Sequence, residues 1–284
     1  MSASTADSDP RKDDGRDPAP PAPASTEDPS RVATDGTASL RDRHAAVLER
    51  IANAARACGR APDDVALLAV SKTFDADAVL ELAGSGQRDF GENYLQEALA
   101  KRTEVGDRRP LQSSGRSQAD GGGPLVWHFI GPIQSNKTRP IAESFDWVHC
   151  IDRDKVARRL SEQRPDALAP LQVCIQVDVS GEATKSGCDP EEALALARVI
   201  VGLPRLRLRG LMAIPAPTDD PVAQRAQFAR VRTVFERLQA EGLAVDTLSM
   251  GMSADLEAAI AEGATIVRVG TALFGARPPR VPGD

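Results

Sequence analysis

No run of apolar residues in this 284-residue chain approaches the ~18 that a membrane-spanning helix requires. The N-terminus opens on Ser, Thr, Asp and Pro, without the apolar stretch of a secretory signal. The expected compartment is therefore the cytoplasm. Only four cysteines are present (Cys58, Cys150, Cys174 and Cys188), and no C-x-x-C pairs them, so neither a zinc knuckle nor a redox pair is indicated. Cys150 and Cys174 sit in the apolar runs VHC and QVC, where a thiol serves as a small core residue. No large excess of one charge is present either: 41 acidic and 35 basic residues give −6, and the first 37 residues alone contribute eight acids against four bases. The remainder is close to neutral, which excludes a broad basic footprint for nucleic acid and gives no reason to expect an anionic membrane as partner.

Those first 37 residues also hold eight apolar residues, six prolines and no aromatic, too little apolar surface to offset the entropy of ordering. They are expected to form a disordered acidic tail. Residues 38–284 make the folded part, close in length to the ~250 residues of one (β/α)8 barrel.

Eight short apolar runs recur along that part: LLAVSK (67–72), DFGEN (89–93), VWHFIG (126–131), WVHCID (147–152), LQVCIQVDV (171–179), LRGLMAI (208–214), TLSMGMS (247–253) and TIVRVG (265–270). Several are nearly continuous rather than alternating, as parallel strands buried on both faces require. Helical patterns lie between them. Phe228, Val231, Phe235 and Leu238 repeat at intervals of three and four before Gly242, and 189–202 begins with acids and ends in glycine. Strand alternating with helix predicts an α/β fold with a parallel sheet, closed as a single TIM barrel. An open doubly wound sheet is the competitor, weakened by the lack of a G-x-G-x-x-G after the first strand. An extra helix comes first, with Leu40, Val47, Leu48, Ile51, Ala55 and Cys58 on one face and packing on the outside of the barrel. Residues 104–124, rich in Gly, Ser, Arg and Asp, read as a polar loop insertion.

In a parallel barrel, function gathers at the carboxyl ends of the strands, and phosphate is commonly held after strands seven and eight. After the seventh run, Ser253 is the expected N-cap of a helix whose free N–H groups could face an anion, with Asp255 two residues inside it. After the eighth, Gly270 permits close backbone approach and Thr271 offers a hydroxyl. Taken singly, each is equally a capped helix or a tight turn. Lysine is scarce, six against 29 arginines, so Lys72 at the end of LLAVS is a pointed choice of residue. An amine held partly out of water there favours its neutral, aldehyde-reactive form; a stem snorkelling from a strand end is the plainer alternative. Barrel closure makes the first strand a neighbour of the eighth and brings Lys72 to the same sector as Ser253, Gly270 and Thr271. An amine for an aldehyde beside a cradle for a phosphate suits pyridoxal 5′-phosphate (PLP). Arg268 interrupts the last run and, if buried, needs a partner: a strand carboxylate, or the pyridine nitrogen of such a cofactor, which it would leave unprotonated.

The blocks AVSKTF (69–74), FGENYLQEALAK (90–101), WHFIGPIQSNK (127–137), GEATKSG (181–187), LRGLMAIP (208–215) and LSMGMSADLEAAIAEGATIVRVGTALFGAR (248–277) resemble the pyridoxal phosphate homeostasis protein family. The resemblance implies a (β/α)8 barrel of the alanine racemase N-terminal type and PLP as ligand. It implies that Lys72 forms the internal aldimine, that Asn93 lies near the cofactor, that Ser253 with the backbone of Met252 and Gly270 with Thr271 bind the phosphate, and that Arg268 meets the pyridine nitrogen. No metal is implied. His128 and Asn136 fall in a family block without an assigned role, and Asp178 stands where many relatives carry Asn. The long tail and the 104–124 insertion lie outside the family pattern.

The resemblance further implies a non-enzymatic carrier or buffer of vitamin B6 in the cell, with PLP-dependent apo-enzymes as partners; a monomer is expected. The alternative is a PLP-dependent amino-acid racemase. That chemistry uses a tyrosine from a second β domain, for which the 14 residues after the eighth run leave no room, and Tyr94 is the one tyrosine in the chain.

Overall fold

Each of the eight apolar runs forms a strand in the computed structural model, which describes residues 38–108, 123–179 and 186–275. The strands are β1 (Ala66–Val70), β2 (Asp89–Glu92), β3 (Val126–Phe129), β4 (Trp147–Ile151), β5 (Leu171–Gln176), β6 (Leu206–Met212), β7 (Thr247–Ser249) and β8 (Ile266–Val269). Every neighbouring pair is parallel, and β8 returns to β1 with Leu68 opposite Arg268, so the sheet closes as a barrel. The strands stop sooner than the apolar runs do, because the last residues of each run turn outward to begin the loops of the rim. Lys72, expected at the end of the first strand, thus lies two residues past Val70.

The connecting helices are α2 (Ala76–Gly84), α3 (Leu95–Arg108), α4 (Thr138–Ser144), α5 (Asp154–Gln163), α6 (Pro190–Val201), α7 (Pro221–Ala240) and α8 (Leu256–Ala261), with α9 (Thr271–Phe274) after β8. Their starts follow the chemistry of free N–H groups: Asp189 caps α6 and Asp220 caps α7, each followed by a proline whose missing N–H costs nothing there. Helix α3 continues to Arg108, so Glu104–Arg108 are helical and not part of a loop beginning at 104. Residues 109–122, like the 1–37 tail and 180–185 of the GEATKSG block, lie outside the described residues. No described helix is long and apolar enough to cross a membrane.

Preceding the barrel is α1 (Leu40–Ala57), started by a capping box in which Ser39 and Asp42 satisfy each other's backbone N–H groups. Its inner face differs from the expected one. Leu48 and Cys58 are exposed, while His44 is buried and bonds Gln87 at 3.2 Å. A polar residue with a dedicated partner takes a place that periodicity gave to an apolar one. The large apolar cluster fills the space between strands and helices, whereas Leu68, Val70, Ile130 and Ile266 form a small separate one inside the barrel. Buried polar side chains, among them His128, His149, Ser249 and Arg268, lie in strands of the same barrel.

Candidate functional site

Beyond β1 the chain makes a tight turn in which the Phe74 N–H donates to the Ser71 carbonyl at 3.1 Å, and Lys72 and Thr73 occupy its middle. Thr73 has φ +69°, a left-handed conformation that a β-branched residue adopts only under external constraint. The constraint is a buried polar cluster. The Thr73 N–H donates to Glu97 Oε1 (2.6 Å) and the Ser71 hydroxyl to Glu92 Oε1 (2.7 Å). Lys101 Nζ then reaches the Ser71 carbonyl (2.7 Å), Glu92 Oε1 (2.7 Å) and Glu97 Oε1 (2.9 Å). Both residues flanking Lys72 are therefore fastened from below, and Lys72 itself is half-buried. Burial pushes the Glu92 carboxyl above its usual range, and the adjacent Lys101 ammonium opposes that. Sequence reasoning gave Lys101, Glu92 and Glu97 no role. The available signals were an acid inside an apolar strand and a Glu–Lys pair four residues apart on α3.

Three buried polar atoms at this end of β1 and β2 have no hydrogen-bond partner: Thr73 Oγ1, Glu92 Oε2 and Asn93 Oδ1. Such atoms are costly while they stay unpaired. Asn93 is held by close contact with the β3 loop, since a Cβ at Gly131 would lie 2.2 Å from its carbonyl oxygen. Asn136 is exposed on a short helical turn.

The loops after β7 and β8 adjoin this turn. Phe74 stacks on Phe274 of α9 with ring centroids 4.6 Å apart, and a Cβ at Gly270 would come within 3.4 Å of the Val70 carbonyl oxygen. Ser253 Oγ accepts from the Ala272 N–H at 3.4 Å, tying the two loops together. The expected N-cap role of Ser253 is corrected: α8 starts at Leu256, and Asp255 occupies the cap position. Asp255 Oδ1 accepts the Met252 N–H at 2.5 Å, so that backbone donor is already engaged and Asp255 is not inside the helix. Gly251 makes the bend possible, with φ +93° and a would-be Cβ only 2.6 Å from that of Ala259. From outside, α1 braces both loops: Arg50 donates to the Ser253 carbonyl (2.8 Å), and Arg43 to that of Leu273 (2.5 Å). Thr271 is exposed and Gly270 half-buried at the start of α9.

Arg268 is buried in the barrel interior, but its partners are not strand carboxylates. Nη1 donates to the carbonyl and hydroxyl of Ser249, and Nη2 to the Ala213 carbonyl at 2.9 Å. Burial lowers its guanidinium to about 10, still charged at neutral pH. These bonds occupy three of its five N–H groups, leaving donors for a ligand's acceptor. Cys174 and Cys188 are buried thiols pushed up to about 12 by desolvation, consistent with packing rather than reactivity. Among the described residues no group of three or more His, Cys, Asp or Glu is arranged to hold a metal.

The family model of the alanine racemase N-terminal domain matches residues 45–278. A pyridoxal phosphate homeostasis protein of Pseudomonas aeruginosa is 60% identical over 239 residues, 84% of this chain and 96% of that one. Its counterpart in Escherichia coli is 50% identical over 233 residues, covering 82% and 94%. Among solved structures, PipY of Synechococcus elongatus with PLP bound superposes with a TM-score of 0.69 at 36% identity, over 84% of this chain and all of that one. The alanine racemase of Corynebacterium glutamicum, at 20% identity and TM-score 0.58 over 84% of this chain and 64% of that one, shares the fold.

Proposed function

The chain belongs to the pyridoxal phosphate homeostasis protein family, and from that premise we propose that it binds PLP covalently through Lys72 and serves as a carrier or buffer of vitamin B6 without turnover. The observation that carries this reading is the junction of the Lys72 turn with the loops after β7 and β8, through the Phe74–Phe274 stack and the packing of Gly270 on Val70. Bound PLP supplies an aldehyde, a phosphate and an electron-withdrawing pyridine ring. Lys72 Nζ condenses with the aldehyde, a C=N bond forming as the carbonyl oxygen leaves as water. Ser253, Gly270 and Thr271 hold the phosphate. Met252 contributes its backbone N–H only if the bond to Asp255 opens, so the other three carry most of that grip. Asn93, with its unpartnered Oδ1, lies close to the ligand. Arg268 donates to the ring nitrogen and keeps it unprotonated, which weakens the ring as an electron sink and disfavours transamination and decarboxylation. PLP-dependent apo-enzymes are the partners to which the cofactor would pass, and the protein acts as a monomer within the cytoplasm.

The racemase reading gains nothing from the geometry, because Tyr94 is exposed next to Asn93, on the Lys72 side of the rim. The test is direct. Protein incubated with PLP should turn yellow, and borohydride reduction with peptide mapping should place the adduct on Lys72 and lose it in Lys72→Ala. A colourless wild type, or an adduct on another lysine, refutes the assignment. Sustained racemisation of alanine by the loaded protein would replace the carrier with an enzyme.

A further inference from the structure

Inside the barrel a series of polar side chains runs from strand to strand, and the binding site as described uses only its last member. Asp89 begins β2, His128 lies in β3, His149 in β4, Ser249 ends β7 and Arg268 lies in β8. They are joined in series: Asp89 Oδ1 to His128 Nε2 at 3.0 Å, His128 Nδ1 to His149 Nε2 at 2.9 Å, His149 Nδ1 to Ser249 Oγ at 2.8 Å, and Ser249 Oγ to Arg268 Nη1 at 3.0 Å. The Asp89 side chain is 38% exposed and that of His128 2%; His149 and Ser249 are fully buried and Arg268 nearly so. One end of the series touches water and the other reaches the candidate ligand.

With both rings neutral, the two ends fix its direction. A carboxylate only accepts and a guanidinium only donates. His128 must therefore give its Nε2–H to Asp89, which leaves Nδ1 of the neutral ring as an acceptor. His149 then donates Nε2–H to it and presents a bare Nδ1. Ser249 turns its O–H to that nitrogen and keeps its lone pairs for Arg268. Burial, with the Arg268 charge adding to it, pushes His149 well below the usual imidazole range, in agreement with the neutral ring this requires. Every hydrogen in the series has one place. The other ionisable groups that bear on Arg268 are Asp255 and the Cys174 thiol, and neither interrupts the series.

We propose that Asp89, His128, His149 and Ser249 form a hydrogen-bond relay of single direction whose task is to position the Arg268 guanidinium against the ring nitrogen of the ligand. The ligand half of this statement rests on the proposed binding of PLP. The four are positioning residues, since only Arg268 would touch the ring. Their order explains why a histidine pair and a serine lie in the barrel interior beside the apolar cluster of Leu68, Val70, Ile130 and Ile266.

The test has one arm without PLP and one with it. In the free protein labelled with 15N-histidine, NMR should show His128 and His149 each as the Nε2–H tautomer. Asp89→Asn replaces the acceptor-only anchor at the half-exposed end by an amide that can also donate, so both rings should become tautomeric mixtures. In the second arm, Asp89→Asn and Ser249→Ala should each raise the Kd for PLP about fivefold, the worth of one hydrogen bond, and shift the visible band of the bound cofactor. A wild-type His149 protonated on Nδ1 overturns the relay even if no variant folds. Tautomers that change while Kd and the band do not overturn its connection to the ligand. A wild type that takes up no PLP refutes the proposed function instead, and the tautomers still decide the relay.

Discussion

Replacing Lys101 by methionine isolates the cluster that holds the Lys72 turn. Methionine fills the volume of the stem but withdraws the ammonium from Ser71, Glu92 and Glu97, leaving a Glu92 side chain of 0% exposure with the Ser71 hydroxyl as its remaining partner. Breaking one side of a buried ion pair costs roughly 3–5 kcal/mol. The retained Ser71 bond places the loss at the lower end, about 3 kcal/mol, or roughly 6–12 °C in Tm for a domain of this length. The pH dependence has a definite sign. Burial already raises the Glu92 carboxyl above 4.5, and loss of the neighbouring cation raises it further. A carboxyl with its folded pKa above the unfolded one binds its proton more tightly in the native state, so stability falls as pH climbs from the unfolded value through the folded one. The deficit of Lys101→Met should thus be larger at about pH 8 than at about pH 5, and Lys101→Met with Glu92→Gln should recover most of it. Urea melts followed by circular dichroism measure these differences. A deficit below about 1 kcal/mol near pH 8, or one that grows toward acid, would refute the reasoning.

Gly131→Ala should cost at least about 2 kcal/mol, because its Cβ would meet the Asn93 backbone at 2.2 Å; a variant as stable as wild type would mean that the Asn93 loop yields easily. Arg50→Met removes a partly exposed ion pair with Glu257 and the bond to the Ser253 carbonyl. It should change stability by less than about 1 kcal/mol yet weaken PLP binding about fivefold in a spectroscopic titration. An unchanged Kd would show that the loop after β7 needs no brace.

The strands were readable because parallel strands buried on both faces leave nearly unbroken apolar runs, as in LQVCIQ of β5. Lys72 could be placed for the same reason, since it follows such a run and its sector follows from barrel closure. The cluster beneath it could not, because Glu92 and Lys101 meet only after β2 and α3 take their final register. Ser253 was misread as a cap because Ser253 and Asp255 both suit the position, and only the backbone decides between them. Arg268 reads correctly as a buried cation, but two of its acceptors are main-chain carbonyls, which no residue pattern reports. His44 escaped notice because periodicity counts it as polar, whereas its bond to Gln87 lets it face inward.

The arginines of α1 tie the first described helix to the loops that follow the last two strands. In chain order Lys72 closely follows the helix that braces these loops, whereas Ser253, Gly270 and Thr271 come roughly 180 residues or more after it. On the proposed assignment, a growing chain carries its amine well before the loops that would grip an anion, and the capacity to capture the ligand would be complete only once the seventh and eighth strands close the barrel.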